Sequence, residues 1–307
     1  MAVDEMAPVA VTGPAAAPRR GRSAGLLPGE RRLVASPSAW LVWAGMVTFL
    51  VFLLGIIVAV VVDSFGRQWF NSWLPLELTT GWYTQAWDRF DLAHVIGVTV
   101  GVALAVVAVS VLVGVPASYL LARRSFPGKK AFTLLFLLPI LMPPITYGIP
   151  LATVMYANGL GRTVLAVILV NLVPSVPFVI LTMTPFIEQI NPSIESAARM
   201  CGANIRQVFV RILAPLLVPG ILAASILVLV RTVGMFELTF LVSGPSSDTL
   251  VVSIYRAMTS AGGGEARQLV SAMAVMYTTT MLVMLVVALR YVNPTQLVAQ
   301  VKEARDD

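Results

Sequence analysis

Long apolar runs alternate with shorter polar segments along this chain. The six runs lie at about 39–62, 92–121, 132–156, 163–187, 216–242 and 269–291. A helix crosses a hydrocarbon core about 30 Å thick with roughly 20 residues, so each run is long enough for one crossing. The pattern therefore predicts an all-α, polytopic membrane protein with about six transmembrane helices.

Prolines interrupt the third and fourth runs. The third run carries Pro139, Pro143, Pro144 and Pro150. Each proline removes a helix donor, and a broken helix survives in lipid only where neighbouring groups or a cavity satisfy the freed carbonyls. We expect the third span to be kinked or unwound.

Composition agrees with a membrane protein. Of the 307 residues, 58% are hydrophobic and 12% are charged, whereas soluble domains have about 25% charged residues. The single cysteine and single histidine exclude an internal disulfide and make a metal cluster improbable on composition. The chain also lacks a GxxxxGK[ST] phosphate loop.

The basic residues are distributed unevenly between the two sides that six spans define. The side that holds both termini carries 15 Lys and Arg residues and the opposite side carries 5. The positive-inside rule then predicts that both termini are cytoplasmic, and it assigns the net charge of +6 to membrane orientation and not to nucleic acid. We divide the chain into a disordered basic tail (1–36), a membrane domain (37–292) and a cytoplasmic tail (293–307).

A polar segment at 188–215, called the elbow below, separates the fourth and fifth runs on the predicted cytoplasmic side. Asn191 can cap a short helix at 192–200 that begins with Pro192. Gly202 can end that helix, and Asn204 can cap a second one. Such a segment either offers a rigid docking surface or simply connects two spans, and its local chemistry alone does not decide between them.

The elbow carries, in this order, Glu195, Ala197, Ala198, Gly202, Ala203 and Pro215. This order resembles the EAA loop of bacterial binding-protein-dependent ABC transporter permeases, which reads Glu-Ala-Ala, three residues, Gly, and then an apolar-Pro-apolar sequence about ten residues later. The resemblance makes these six residues the candidates for coupling to an ATPase. Ser196 lies between Glu195 and the two alanines and is a departure from that pattern, and a weaker likeness extends over about 93–291.

The resemblance implies a type I ABC importer permease fold in which the elbow inserts as a coupling helix into an ATPase subunit. It places ATP and magnesium in that partner and no cofactor on this chain. It also implies a second permease, which we expect to be a similar but different chain, together with an extracytoplasmic solute-binding protein. In the mechanism that it implies, ATP binding shifts a two-state equilibrium between inward and outward access in the bacterial inner membrane.

Two charges, Arg231 and Glu237, fall within the fifth apolar run. A charge at the membrane centre costs about 2.5–3.5 kcal/mol on insertion scales, so both should face the protein interior. Glu237 is a candidate for the substrate path, for satisfying backbone groups in a kinked neighbour or for a hydrated position near the outer interface. Arg231 is a candidate for a structural pairing or for the same path.

The segments LLPILMPPITYG and FLVSGPSSDTLVVSIY resemble permeases for polyamines, ferric iron or thiamine more than those of the sugar group. Glu237 would also suit a cationic solute, so we expect a polyamine or another small cation as substrate, with a sugar as the alternative.

Two other functional classes compete with an importer permease. A secondary transporter usually shows internal repeats and more spans, and no repeat is evident in this sequence. An intramembrane enzyme would need a motif such as HExxH, which is absent from the sequence. A secondary transporter would also leave the elbow without a purpose.

Overall fold

The computed structural model describes residues 37–69, 74–260 and 264–290. The predicted tails at 1–36 and 293–307 lie outside these ranges. The chain divides into two compact units, 1–56 and 57–307. The first unit is described from residue 37 onward, where it is helical and strongly apolar.

The described residues are mainly helical. In chain order the elements are α1 Pro37–Phe65, β1 Gly66–Gln68, β2 Glu77–Leu78, α2 Gly81–Arg89, α3 Leu92–Arg123, α4 Lys129–Leu141, α5 Pro144–Ala157, α6 Val164–Glu188, α7 Pro192–Met200, α8 Ile205–Val208, a π-helical turn Phe209–Leu213, α9 Ala214–Val233, α10 Glu237–Val242, α11 Leu250–Thr259 and α12 Arg267–Arg290.

The number of possible spans agrees with the number that the apolar runs predict. Five helical stretches are long and apolar enough to cross a membrane, and the pair α4 and α5 makes a sixth if it counts as one broken span. The axes of that pair meet at 97°. The bend follows Met142, which is extended as expected before a proline, and Pro143 brings no N–H to continue the helix. The predicted disruption of the third span is thus confirmed.

The main core of the second unit forms where α3 packs along α6 and α9. Gly114 of α3 allows the closest part of this contact, because a β-carbon there would lie 2.7 Å from Cγ1 of Val179 in α6. Small residues commonly let membrane helices approach each other in this way. This contact fixes α3 against the helix that leads into the elbow.

A small structure that the apolar pattern did not predict follows α1. Strands β1 and β2 pair antiparallel, and the amphipathic helix α2 packs against α3 and α12. The indole N–H of Trp82 donates to the carbonyl of Gly66 at 2.9 Å, and the hydroxyls of Tyr83 and Ser64 lie 2.7 Å apart. Side-chain hydrogen bonds therefore tie this polar segment to the end of α1.

The fifth span ends earlier than its apolar run. Helix α9 stops at Val233, and α10 begins only at Glu237 after a break in the helix. The prediction that Glu237 lies within the fifth span is therefore wrong. Arg231 does lie in the last turn of α9. Hydropathy misses the break because the run stays apolar on average from α9 into α10.

Candidate functional site

The elbow contains the two short helices that its capping residues predict. The side chain of Asn191 accepts from the N–H of Ser193 at 2.9 Å, and α7 starts at Pro192. Asn204 and Gln207 form a reciprocal capping box, with both N–H···O distances 2.8 Å. The predicted helix at 192–200 and both caps are confirmed.

Gly202 makes the turn between the two helices. Its φ is +85°, a left-handed conformation that glycine adopts without strain. The N–H of Gly202 donates to the carbonyl of Arg199, and that of Ala203 donates to the carbonyl of Ala198. This pair of bonds is the Schellman pattern, which satisfies the last carbonyls of a helix. The angle between α7 and α8 is thus defined by backbone bonds.

Glu195 points into the protein. The residue is only 5% exposed. Its carboxylate accepts from the hydroxyl of Tyr119 at 2.8 Å and from Nε of Arg123 at 2.7 Å. A nitrogen of Arg199 lies 3.8 Å from the same carboxylate, and Arg123 also donates to the carbonyl of Ile190 at 2.6 Å. Tyr119 and Arg123 are both on α3, so Glu195 fastens the elbow to the end of that span.

The ring of Tyr119 contacts the second half of the elbow. It packs edge-on against Phe209 with centroids 5.5 Å apart. Phe209 opens the π-helical turn that leads into α9. Such π-helical segments are uncommon and frequently mark functional sites. Tyr119 therefore touches both halves of the elbow.

The predicted coupling residues do not all face the same way. Ala197 and Gly202 are exposed, as is Pro215 at the start of α9, whereas Ala198 and Ala203 are half-buried against the core. Sequence reasoning grouped Glu195 with the partner contact, but the structure places its side chain inside.

Other residues supply the exposed apolar surface of the elbow. Ile194, Met200 and Ile205 are 42%, 84% and 53% exposed, and Cys201 beside them is exposed as well. Sequence analysis assigned no role to these residues, or to Tyr119 and Arg123. The one available signal for the latter pair was their position in the basic turn that ends the second span.

Arg231, Glu237 and Tyr147 form a second polar group, in or at the end of apolar segments. The buried Tyr147 hydroxyl has no hydrogen-bond partner among the described residues, and both charged groups lie in its neighbourhood. The guanidinium of Arg231 lies 5.6 Å from the ring centre of Phe178. Neither charge has an ion-pair partner among the residues described. Arg231 thus contacts an aromatic face within the described residues, and its structural or path-lining role stays a prediction.

Comparison with known proteins identifies relatives. A family model described as "Binding-protein-dependent transport system inner membrane component" matches residues 114–295. The trehalose transport system permease SugB of Mycobacterium tuberculosis is 34% identical over 132 residues, which are 43% of this chain and 48% of SugB. The chain thus matches about half the length of that relative.

Two further relatives have other substrates in their names. The sulfate transport system permease CysT of Salmonella typhimurium is 28% identical over 56% of this chain and 68% of CysT. The putative molybdenum transport system permease YvgM of Bacillus subtilis is 29% identical over 61% of this chain and 86% of YvgM.

Solved structures share the fold at low identity. A bacterial ABC transporter involved in the import of the acidic polysaccharide alginate superposes with a TM-score of 0.67 at 20% identity, covering 83% of this chain and 98% of that one. The MetNI methionine ABC transporter in inward-facing form gives a TM-score of 0.54 at 19% identity, covering 66% and 95%.

Proposed function

This chain belongs to the family of binding-protein-dependent transport system inner membrane components, and we propose that it forms half of the solute path of an ATP-driven importer. Its fold is that of the type I ABC importer permeases. Two such halves enclose a path, so the chain works beside a second permease, which we propose to be similar but not identical to it.

The elbow is the proposed docking site for an ATPase subunit, and its exposed surface carries this proposal. Ile194, Met200 and Ile205 present apolar side chains on helices whose ends are capped. Exposed apolar side chains on a rigid segment are what a groove on a soluble partner can bury. ATP and magnesium would bind in that partner, and an extracytoplasmic solute-binding protein would deliver the solute on the other side.

The same elbow suggests how the partner acts on the membrane helices. Glu195 joins α7 to Tyr119 and Arg123 of α3, so a displacement of the elbow is passed to that span. ATP binding in the partner would thereby favour one of two arrangements of the permease pair. With the elbow in the cytoplasm, both termini of the chain are cytoplasmic as well.

We place the solute path beside Tyr147, Arg231 and Glu237. Unpaired polar groups within apolar segments are energetically costly, and in membrane proteins such groups commonly mark a substrate or ion path. The group contains one cation and one carboxylate, so its formal charge gives no preference for a small cation. The relatives described above are named for trehalose, sulfate and molybdenum, and none of these three names supports a polyamine. A polar, hydrogen-bonding solute such as a sugar suits the group best.

Co-purification tests this proposal. The tagged chain is isolated from its native membrane, and its companions are identified by mass spectrometry. We expect an ATPase and a second permease with the parent, loss of the ATPase with Met200→Asp, and its retention with Met200→Leu. A chain that purifies alone and transports without ATP would make it a secondary carrier instead.

A further inference from the structure

Two pockets, one apolar and one polar, share Arg124 as a lining residue. Arg124 follows α3 directly. The first is an apolar groove of about 450 Å³ between the end of α3 and the start of α4, with Ala117, Leu120 and Phe132 among its lining residues. The second is a polar pocket of about 200 Å³ between the end of α3 and α7. Arg124 lines both of them, so a group bound to its side chain in the polar pocket lies next to the apolar groove.

The polar pocket carries excess positive charge. Its charged lining consists of Arg123, Arg124, Arg199 and Glu195. The Glu195 carboxylate is already held by Arg123 and Tyr119, and Arg199 approaches it only to 3.8 Å. The Arg124 side chain has no ion pair within the described ranges. Arg124 and the half-exposed Arg199 are therefore open to an anion.

Both pockets lie at the level where the polar edge of a membrane is expected. Arg123 is the last residue of a membrane-spanning helix, and Lys129 begins the next apolar helix. The apolar groove runs from this level along α3, on the side where Leu120 is exposed. Basic side chains at such an edge attract the headgroups of anionic lipids.

We infer that an anionic phospholipid binds here, with an acyl chain in the groove and its phosphate on Arg124 and Arg199. Its assignment to the cytoplasmic leaflet rests on the orientation given with the proposed function. The headgroup would lie beside Glu195, the residue that fastens the elbow to α3. Lipid binding would thus stabilise the arrangement of the proposed docking segment.

The test measures lipid binding to the full-length chain, purified in detergent with its companions and stripped of lipid. Phosphatidylglycerol and phosphatidylcholine are titrated separately and bound lipid is counted by native mass spectrometry. We expect phosphatidylglycerol to bind about tenfold more tightly than phosphatidylcholine. Arg124→Gln should weaken phosphatidylglycerol roughly fivefold, as expected for one basic contact, and Arg124→Lys should keep most of the preference. Lys130→Gln, in the same turn but outside both pockets, should match the parent.

A second variant tests the groove. Ala117→Phe fills it and should weaken both lipids while thermal unfolding stays close to that of the parent. Equal affinity for the two lipids, or equal behaviour of Arg124→Gln and Lys130→Gln, would overturn the proposal. So would displacement of phosphatidylglycerol by millimolar inorganic phosphate with no effect of Ala117→Phe, since the pocket would then hold a free anion. Binding needs neither ATP nor transport, so this outcome is independent of the proposed function.

Discussion

Glu195 of the elbow and Arg123 of α3 form a buried ion pair, with 2.7 Å between Oε1 and Nε. Both side chains are largely withdrawn from solvent, and the hydroxyl of Tyr119 completes the group. The ion pair therefore holds the elbow against the end of α3.

Removing the charge of Glu195 should destabilise the protein. Glu195→Gln leaves the guanidinium of Arg123 without its carboxylate, and breaking a buried pair costs about 3–5 kcal/mol. We expect a lower midpoint of thermal unfolding and reduced stimulation of ATP hydrolysis by solute. Glu188→Gln is the matched control because Glu188 is exposed. Equal unfolding midpoints for the two variants would show that the ion pair does not contribute to stability.

The stability of variants at Gly202 should depend on how well the new residue tolerates a left-handed backbone. Nothing lies within 4 Å of a β-carbon at this position, so only the φ of +85° opposes a side chain. Gly202→Ala should cost about 1–2 kcal/mol, whereas Gly202→Asn should cost less because asparagine enters this region more easily. Thermal unfolding of both variants measures the difference. Equal losses would mean that conformation is not the cause.

The contact between α3 and α6 should be sensitive to one added methyl group. Gly114→Ala brings a β-carbon against Val179 and should destabilise by about 1–3 kcal/mol through overpacking. Gly101→Ala on the same helix has open space around it and should be neutral or slightly stabilising. Unfolding of the two variants in the same detergent gives the comparison. A stable Gly114→Ala variant would mean that α3 and α6 can separate slightly without loss.

Tyr147 should matter for transport and not for stability. Its buried hydroxyl has no partner among the described residues, so Tyr147→Phe removes no internal hydrogen bond. One hydrogen bond to the solute contributes about 1 kcal/mol, and its loss should reduce transport at low solute concentration by roughly fivefold. Uptake into reconstituted vesicles measures this, with Tyr156→Phe on the exposed side of α5 as the control. Unchanged uptake by Tyr147→Phe would contradict the proposal that this hydroxyl contacts the solute.

Local chemistry explains what could be predicted from the sequence. The spans follow from apolar run length, and the elbow helices follow from Asn191, Gly202 and Asn204, since each of these residues acts on its near neighbours. The pairing of Arg123 with Glu195 joins residues 72 positions apart. No local pattern reports such a contact, so the inward direction of Glu195 could not be predicted.

The break before Glu237 was missed for a different reason. Hydropathy measures how apolar a stretch is and does not report whether its backbone stays helical. The apolar run continues through α9 and α10, although the helix stops at Val233. The proposed role of Tyr147 depends on the packing of α5 against α10, a contact between distant parts of the chain that hydropathy does not report.

Cross-linking from Cys201 tests the central claim most directly. Cys201 is the single cysteine of the chain and is exposed in the elbow, so a photoreactive maleimide labels the proposed docking surface without any substitution. After irradiation of native membranes, we expect a cross-linked product with a protein that contains a GxxxxGK[ST] phosphate loop. The double variant Cys201→Ser, Met258→Cys should not give that product. If the ATPase were cross-linked from position 258 and not from Cys201, the elbow would not be the docking site.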